Sequence, residues 1–428
     1  MEMKQQQQHN PKSSYKLRRR GDSWSELPSD LLNSVVERLG FADSRRVGSV
    51  CSSWHSAAKR CVAKKQIPWL ILLPDEDEEI ETHWCKLFNP EENGKLYRMR
   101  ADVFEFAKSY CLATCGNWLL MVDHGSVLYM LNLFTHERIV LPPVESQLGT
   151  TKLERNSEGW FCISNGNYQP QHCPSKLRGI NTIMRSPVFW IDEQTKEYVV
   201  VWGLGEWCLV YSKKGDTFWS QIQTPRGYST DFSRARSEMV YKDDKLCYLL
   251  LNRRTGGCIK IFDFSTEIPQ ETFHCGLAAD PSPINRLTSP RDPWRIWRIR
   301  RTKLVVTVTG DVLKVEQWVK TEQRVQHWSF RVYKAGFLNK YDEKVDSLGD
   351  EAMLFDLGIT VLANDDFVGF KRNSIFFNDI CHEKNTTQIC VFNLETQEME
   401  EPLHMFVCSS EQQLARARWF LPSSFKQT

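Results

Sequence analysis

Cysteine and histidine at short paired spacings are the side chains in this sequence best suited to chemistry, because thiolates and imidazoles hold zinc where two such pairs converge. The candidates are Cys111-x-x-x-Cys115, His83-Trp84-Cys85 and Cys381-His382. Each stands without a second pair at finger spacing, so buried thiols and surface histidines are expected rather than a metal centre. No glycine-rich phosphate loop, G-x-S-x-G elbow or His-Glu-x-x-His pair occurs, so neither a cofactor nor a catalytic residue is expected. The stretch from Arg291 to Lys303 interleaves cations with Trp294 and Trp297, a pattern that can stack bases and neutralise phosphates. With no second basic stripe beside it, the stretch reads as an exposed basic strand or loop, equally able to grip an acidic target, and nucleic acid is not the expected partner. Asp75–Glu79 reads as a solvated acidic loop.

The elements that carry these residues follow from composition. The chain has 428 residues, 41% of them hydrophobic, with 55 Lys+Arg against 53 Asp+Glu, an ordinary globular balance. The longest apolar run, Ile67 to Leu73, is far short of the roughly 20 residues that cross a bilayer, so no membrane span is expected. The first residues lack the apolar stretch of a signal peptide, which predicts a reducing compartment, nucleus or cytoplasm, and free thiols for the fourteen cysteines. Asn385-Thr386-Thr387 then matches a glycosylation acceptor by chance. Charge is uneven: residues 1–65 hold 13 Lys/Arg against 6 Asp/Glu, net +7, and residues 66–428 hold 42 against 47, net −5.

Three parts emerge along the chain. Residues 1–22, Gln-rich and then basic, read as a disordered tail in which Lys16-Leu17-Arg18-Arg19-Arg20 is either a nuclear address or a solvated cluster. Residues 23–65 carry helical periodicity. Ser29 is the expected N-cap of a helix holding Leu31, Leu32, Val35, Val36 and Leu39 and stopped by Gly40; Asp43 is expected to cap a second helix with Val47, and a third carries Val50, Cys51, Trp54, Ala57 and Ala58. About 40 residues make a marginal core, so this three-helix unit needs a neighbour or a partner chain to cover its apolar surface.

In residues 66–428 the period switches to two, and short Val/Ile/Tyr/Phe/Trp runs alternate with turn residues. One phrase recurs: Lys86-Leu87-Phe88-Asn89, Tyr129-Met130-Leu131-Asn132, Lys260-Ile261-Phe262-Asp263 and Cys390-Val391-Phe392-Asn393, three of them followed by Thr135, Thr266 and Thr396. Asn or Asp at that place ends a strand by folding its side chain onto nearby backbone N–H groups. Asn89 and Asn132 lie 43 apart and the longer gaps, 131 and 130, are near three times that, which predicts a β-propeller of about seven four-stranded blades, with six to eight allowed. Weaker echoes end at Tyr211 and Tyr333. The apolar Trp419-Phe420 near the C-terminus predicts a terminal strand that pairs into the first blade and closes the ring.

Leu27-Pro28-Ser29-Asp30-Leu31-Leu32, continued by Val35, Leu39, Asp43, Val47 and Val50-Cys51-Ser52-Ser53-Trp54, resembles the F-box. The remainder is similar to the KIB-type propeller domain that accompanies an F-box in a large plant family. The phrases that carry this are Ile67-Pro68-Trp69-Leu70, Leu131-Asn132-Leu133 leading to Leu141-Pro142-Pro143, Val345–Phe355, Asn373–Asp379 and Trp419–Ser423, while residues 145–185 and 265–300 match little. The resemblance implies a small all-α F-box followed by an all-β propeller, and a substrate receptor of a Skp–cullin–F-box ubiquitin ligase that does no chemistry itself. The helical unit would dock on a Skp-family adaptor and through it on a cullin, while the propeller holds a target protein that the sequence does not name. Leu27, Pro28, Leu31, Leu32, Val35, Val47, Val50, Cys51 and Trp54 occupy the contact-forming positions of the motif. About half of the nine are expected to touch the adaptor, with Pro28, Leu31 and Leu32 foremost. Two other classes stay open at this point: a scaffold that binds the adaptor without delivering a target, and a propeller enzyme with its site in the central channel.

Overall fold

The computed structural model describes residues 24–39, 41–60, 67–73, 84–90, 95–100, 109–165, 168–171, 180, 183–204, 208–223, 235–252, 256–277, 297–322, 325–334, 343–363, 370–381, 386–407 and 417–422. The chain forms two compact units, a helical one that precedes Ile67 and an all-β one spanning Ile67–Pro422.

The helical unit begins with a 3-10 turn, Trp24–Glu26, followed by α1 (Ser29–Val36), α2 (Phe41–Val47) and α3 (Ser52–Arg60). Pro28, not Ser29, holds the N-cap position of α1, with φ −54° and ψ 142° and no side-chain cap. Its carbonyl accepts from Leu32 N at 3.0 Å. A proline suits this place because its φ is already fixed and it has no N–H to satisfy. Asp43 likewise does not cap α2; it lies within the first turn and pairs with Arg46 at 2.8 Å. Gly40 lies outside the described residues. Leu32, Val36, Trp54 and Ala57 form the buried core, with Leu27, Val47, Cys51 and Ala58 packed against it.

The all-β unit is a propeller of six blades among the described residues. Blade I contains Trp69–Leu72, Trp84–Asn89 and Lys95–Arg100, with Arg418–Phe420 added at its inner edge. The pairs Trp69↔Phe420, Leu70↔Trp419 and Ile71↔Arg418 supply the expected ring closure. Blade II runs Ser109–Cys115, Trp118–Asp123, Leu128–Asn132, Arg138–Val140, and blade III runs Met184–Ile191, Tyr198–Leu204, Cys208–Lys213, Ser220–Gln223. Blade IV comprises Ala235–Lys242, Lys245–Asn252, Gly256–Asp263 and Gln270–Leu277; blade V comprises Arg298–Val306, Val312–Glu322, Val325–Lys334 and Glu343–Val345. Blade VI has the hairpin Glu351–Leu354 and Ile359–Leu362 on its inner side, then Ser374–Cys381 and Thr386–Asn393, the last edged by Glu398–Met399 and His404–Val407. It is hydrogen-bonded to blade V through the parallel pair Val306↔Ile359.

Inner strands touch in order from Arg418–Phe420 through blades II, III, IV and V. Apolar clusters fill the seams. Trp118, Val200 and Trp202 lie between blades II and III, Val201 and Tyr248 between III and IV, and Val315, Phe330 and Phe377 between V and VI. Leu70, Phe376 and Trp419 join VI back to I. Such seams bury aromatic and β-branched side chains on both faces of each sheet, which is why the strand sequences read as near-continuous apolar runs.

The six blades among the described residues lie at the lower end of the expected six to eight, because the 131- and 130-residue gaps each cover two blades, not three. A three-stranded sheet, Thr151–Arg155, Phe161–Asn165 and Tyr168–Gln171, is inserted between blades II and III, where Leu153 and Phe161 join the same core as Trp118. Blade V has long strands, and the hairpin Glu351–Leu362 lengthens the approach to blade VI. The recurrent turn behaves as read: Asn132 Oδ1 accepts from Phe134 N and Thr135 N, both 3.0 Å; Asn393 Oδ1 accepts from Glu395 N and Thr396 N at 3.0 and 3.1 Å; Asp263 Oδ1 accepts from Ser265 N at 2.9 Å. Tyr211 and Tyr333, the weaker echoes, lie on the third strands of blades III and V.

Candidate docking surface of the helical module

An α-helix that packs on one partner needs a single apolar stripe, yet α1 carries two. Leu32 and Val36, 1% and 3% exposed, face the core; Leu31 and Val35, one residue earlier in each pair, remain 54% and 40% exposed. Pro28, also exposed, continues the outer stripe one turn back. Val50, after α2, is 64% exposed. Four of the nine motif positions are thus presented to solvent.

The other five build the surface instead. Leu32 and Trp54 are core residues, and Leu27, Val47 and Cys51 are half-buried against them. Leu32 thus lies in the core and not on the face that Leu31 shows, because the 100° step between successive helical residues turns its side chain away from that face. Trp54 is fixed from both ends, its ring in the core and its Nε1 donating to the carbonyl of Trp24 at 3.0 Å, while Ser53 Oγ donates to the carbonyl of Ser25 at 3.1 Å. These two bonds clamp the 3-10 turn onto α3. Trp24 itself, 70% exposed, was not singled out from the sequence. An aromatic at the border of a polar tail gives no periodic signal, and only its tight spacing before Leu27-Pro28 marks it. The Ser53 hydroxyl, 3.1 Å from Cys51 Sγ, and the N–H of Trp54 hold the Cys51 thiol below its ordinary pKa.

The remaining candidates resolve differently. Cys111 and Cys115 are neighbours along one strand and burial pushes both thiols up to about 11. His83 and His382 lie outside the described residues, as does the Asp75–Glu79 stretch. No group of three His, Cys, Asp or Glu side chains able to hold a metal occurs among the described residues. Of the basic stretch, residues 291–296 lie outside the description and the rest is the start of the innermost strand of blade V. There Arg300 pairs with Asp379 at 3.3 Å and Arg301 with Asp356 at 2.6 Å, while Lys303 Nζ donates to the Asp356 carbonyl at 2.7 Å. Arg300, Arg301 and Lys303 are therefore anchored to blade VI, while Arg298 is exposed. A cavity of about 610 Å³ opens in blade VI between Asp350, Arg372, Glu395 and the Lys371–Glu400 ion pair at 2.6 Å. Asn393 Nδ2 also donates to Glu400 at 3.0 Å, and these two donors hold the carboxyl below its usual range. The cleft is a self-satisfied polar clamp.

Residues 24–66 match the F-box domain and residues 87–393 match the KIB1-4 beta-propeller. The chain is 49% identical over 425 residues to the putative F-box protein At4g22180 of Arabidopsis thaliana, covering 98% of each. It is 48% identical over 408 residues to the probable F-box protein At4g22165 of the same plant, covering 94% of this chain and 97% of the relative. Among solved structures, TolB from Acinetobacter baumannii aligns with a TM-score of 0.34 and 8% identity over 86% of this chain and 70% of that one. An apolar three-helix module with an exposed stripe, joined to a six-bladed propeller, thereby finds its kin: the chain belongs to the F-box proteins that carry a KIB1-4 β-propeller.

Proposed function

We propose that this chain is the non-catalytic, substrate-recognition subunit of a Skp–cullin–F-box ubiquitin ligase, its helical module bound to a Skp-family adaptor and, through it, a cullin, and its propeller holding the target protein. The observation that carries this reading is the second stripe of α1. A module whose buried core, among the described residues, is Leu32, Val36, Trp54 and Ala57 leaves Leu31, Val35 and Val50 in solvent. Exposed aliphatic anchors on a rigid support are the usual centres of interface energy. Residence in nucleus or cytoplasm is part of the same reading and rests on the Lys16–Arg20 cluster.

The test is affinity purification with mass spectrometry, comparing the intact chain with a Leu31→Asp/Val35→Asp variant. Adaptor and cullin should disappear from the variant while target candidates accumulate. Retention of both would reject the reading, and reconstituted ubiquitination of a captured target separates a ligase receptor from a scaffold.

A further inference from the structure

Each inner strand of blades II to V runs by a short turn into the second strand of its blade at one rim, so the strand starts gather at the other. Arginine stands first or second in three of the six inner strands: Arg418 in blade I, Arg185 in blade III and Arg298 in blade V. Arg300 and Arg301 follow one step inside. The starts face a common space, since the inner strands of neighbouring blades touch in turn around the ring, and further along the strand of blade V Lys303 Nζ reaches the Asp356 carbonyl of blade VI at 2.7 Å.

Two of these arginines are held in a fixed pose. Arg300 is pinned by Asp379 and lies 4.8 Å from the Trp328 ring centre; Arg301 is pinned by Asp356 and lies 5.2 Å from that of Phe355. Their side chains nevertheless keep 42% and 44% of their surface open, and Arg185 and Arg298 are exposed. Among the described residues, the carboxylates beside these cations, Glu238, Asp356 and Asp379, are fewer than the cations. Among the described residues, the turns that join inner to second strands at the opposite rim show the reverse bias, with Asp192, Glu193, Glu197, Asp243, Asp244 and Asp311 against Lys196. In a unit whose net charge is negative, the described residues thus gather positive charge at one mouth, where it steers and orients an approaching anion.

Resting on the receptor reading above, we propose that this arginine-lined mouth is the face on which the propeller holds its target, and that the target enters by an acidic segment carrying phosphate or clustered carboxylates. Guanidinium groups already oriented by a carboxylate and a ring bind such groups through their open edges at little further ordering cost. Nucleic acid is disfavoured because the rings of Trp328 and Phe355 have guanidinium groups over them and do not offer bare faces for stacking bases.

Fluorescence anisotropy on the full-length chain tests this with a fluorescein-labelled twelve-residue phosphoserine/glutamate peptide, a lysine/serine counterpart and a poly-uridine RNA of equal length. The acidic peptide should bind, less tightly as salt rises, and Arg185→Glu or Arg298→Glu should each weaken it about tenfold, with Arg→Gln at the same positions giving a smaller loss. Unchanged binding by the double variant, absence of binding by the parent chain, or tighter binding of the RNA overturns the proposal. Adaptor binding is read separately on the same samples. A Leu31→Asp chain that loses the adaptor and keeps the peptide supports both readings, whereas a parent chain that binds peptide but no adaptor removes the ligase role and leaves the anion-binding mouth standing.

Discussion

The indole Nε1 of Trp419 donates to Asn378 Oδ1 at 3.2 Å while the carbonyl of Trp419 accepts from Thr114 Oγ1 at 2.8 Å, so one residue near the C-terminus ties blade VI to blade II across blade I. Trp419 is 2% exposed and packs with Leu70 and Phe376. Asn378 is itself oriented, its N–H donating to Asp356 Oδ2 at 2.7 Å, and Asp356 also holds Arg301 of blade V. The seam that closes the ring is therefore polar at one side and apolar within.

Removing the chain from Arg416 onward should lower the melting temperature clearly, by the equivalent of at least about 3 kcal/mol, the usual cost of emptying a buried tryptophan site. Trp419→Phe, which keeps most of the packing but not the donor, should cost about 1 kcal/mol. Differential scanning fluorimetry and chemical denaturation of the three chains order these effects; equal melting curves would reduce the last strand to a surface contact.

Leu31→Asp should abolish adaptor binding without unfolding the module, because a charge in a desolvated pocket costs several kcal/mol that only the complex has to meet. Leu32→Asp should instead unfold the module, and even Leu32→Ala should cost about 2–5 kcal/mol of its stability. Circular dichroism on the helical signal together with adaptor titration distinguishes the two adjacent leucines.

Thiol chemistry should follow burial and hydrogen bonding. At pH 8, Cys51, partly exposed and held below its ordinary pKa, should be alkylated by iodoacetamide well before Cys111 and Cys115, whose thiols burial pushes up to about 11. Peptide mass spectrometry of timed samples reads the order directly.

Acid should loosen blade VI. The carboxyl of Glu400 is held below the ordinary glutamate value of 4.5 by Lys371 and Asn393, so its contribution is complete above that value and is lost as pH falls through the depressed one. The melting temperature of Glu400→Gln should lie below that of the parent at pH 7 and converge on it as the pH falls below the ordinary carboxyl range. A constant difference over that range would show that the ion pair is not the source.

Much of this was legible in the residues. The three helices, the switch to period two, the Asn/Asp turn at Asn132, Asp263 and Asn393 and the closing strand all rest on local physics that the chain states openly. Blade number was legible too, but by a different rule: one strand of each described blade carries the recurrent phrase or its weaker echo, at Asn89, Asn132, Tyr211, Asp263, Tyr333 and Asn393. Division by a fixed period missed this because insertions on a propeller cost little and leave neighbouring seams intact. The partition of α1 into Leu32 and Val36 inside, Leu31 and Val35 outside, could not be read, since adjacent leucines are equally apolar and only the position of α3 decides between them. The anchoring of Arg300 and Arg301 was hidden for a related reason, as Asp379 and Asp356 lie far along the chain from them.

Blade I draws three strands from the beginning of the propeller and one from its last residues, which has a biosynthetic consequence. While the polypeptide is still emerging from the ribosome, Trp69–Leu72 must wait with an unpaired edge until nearly the whole sequence has been made. Premature termination anywhere upstream of Trp419 would therefore yield a product that cannot shut, with a sticky strand on show and every reason to be captured by chaperones or degraded.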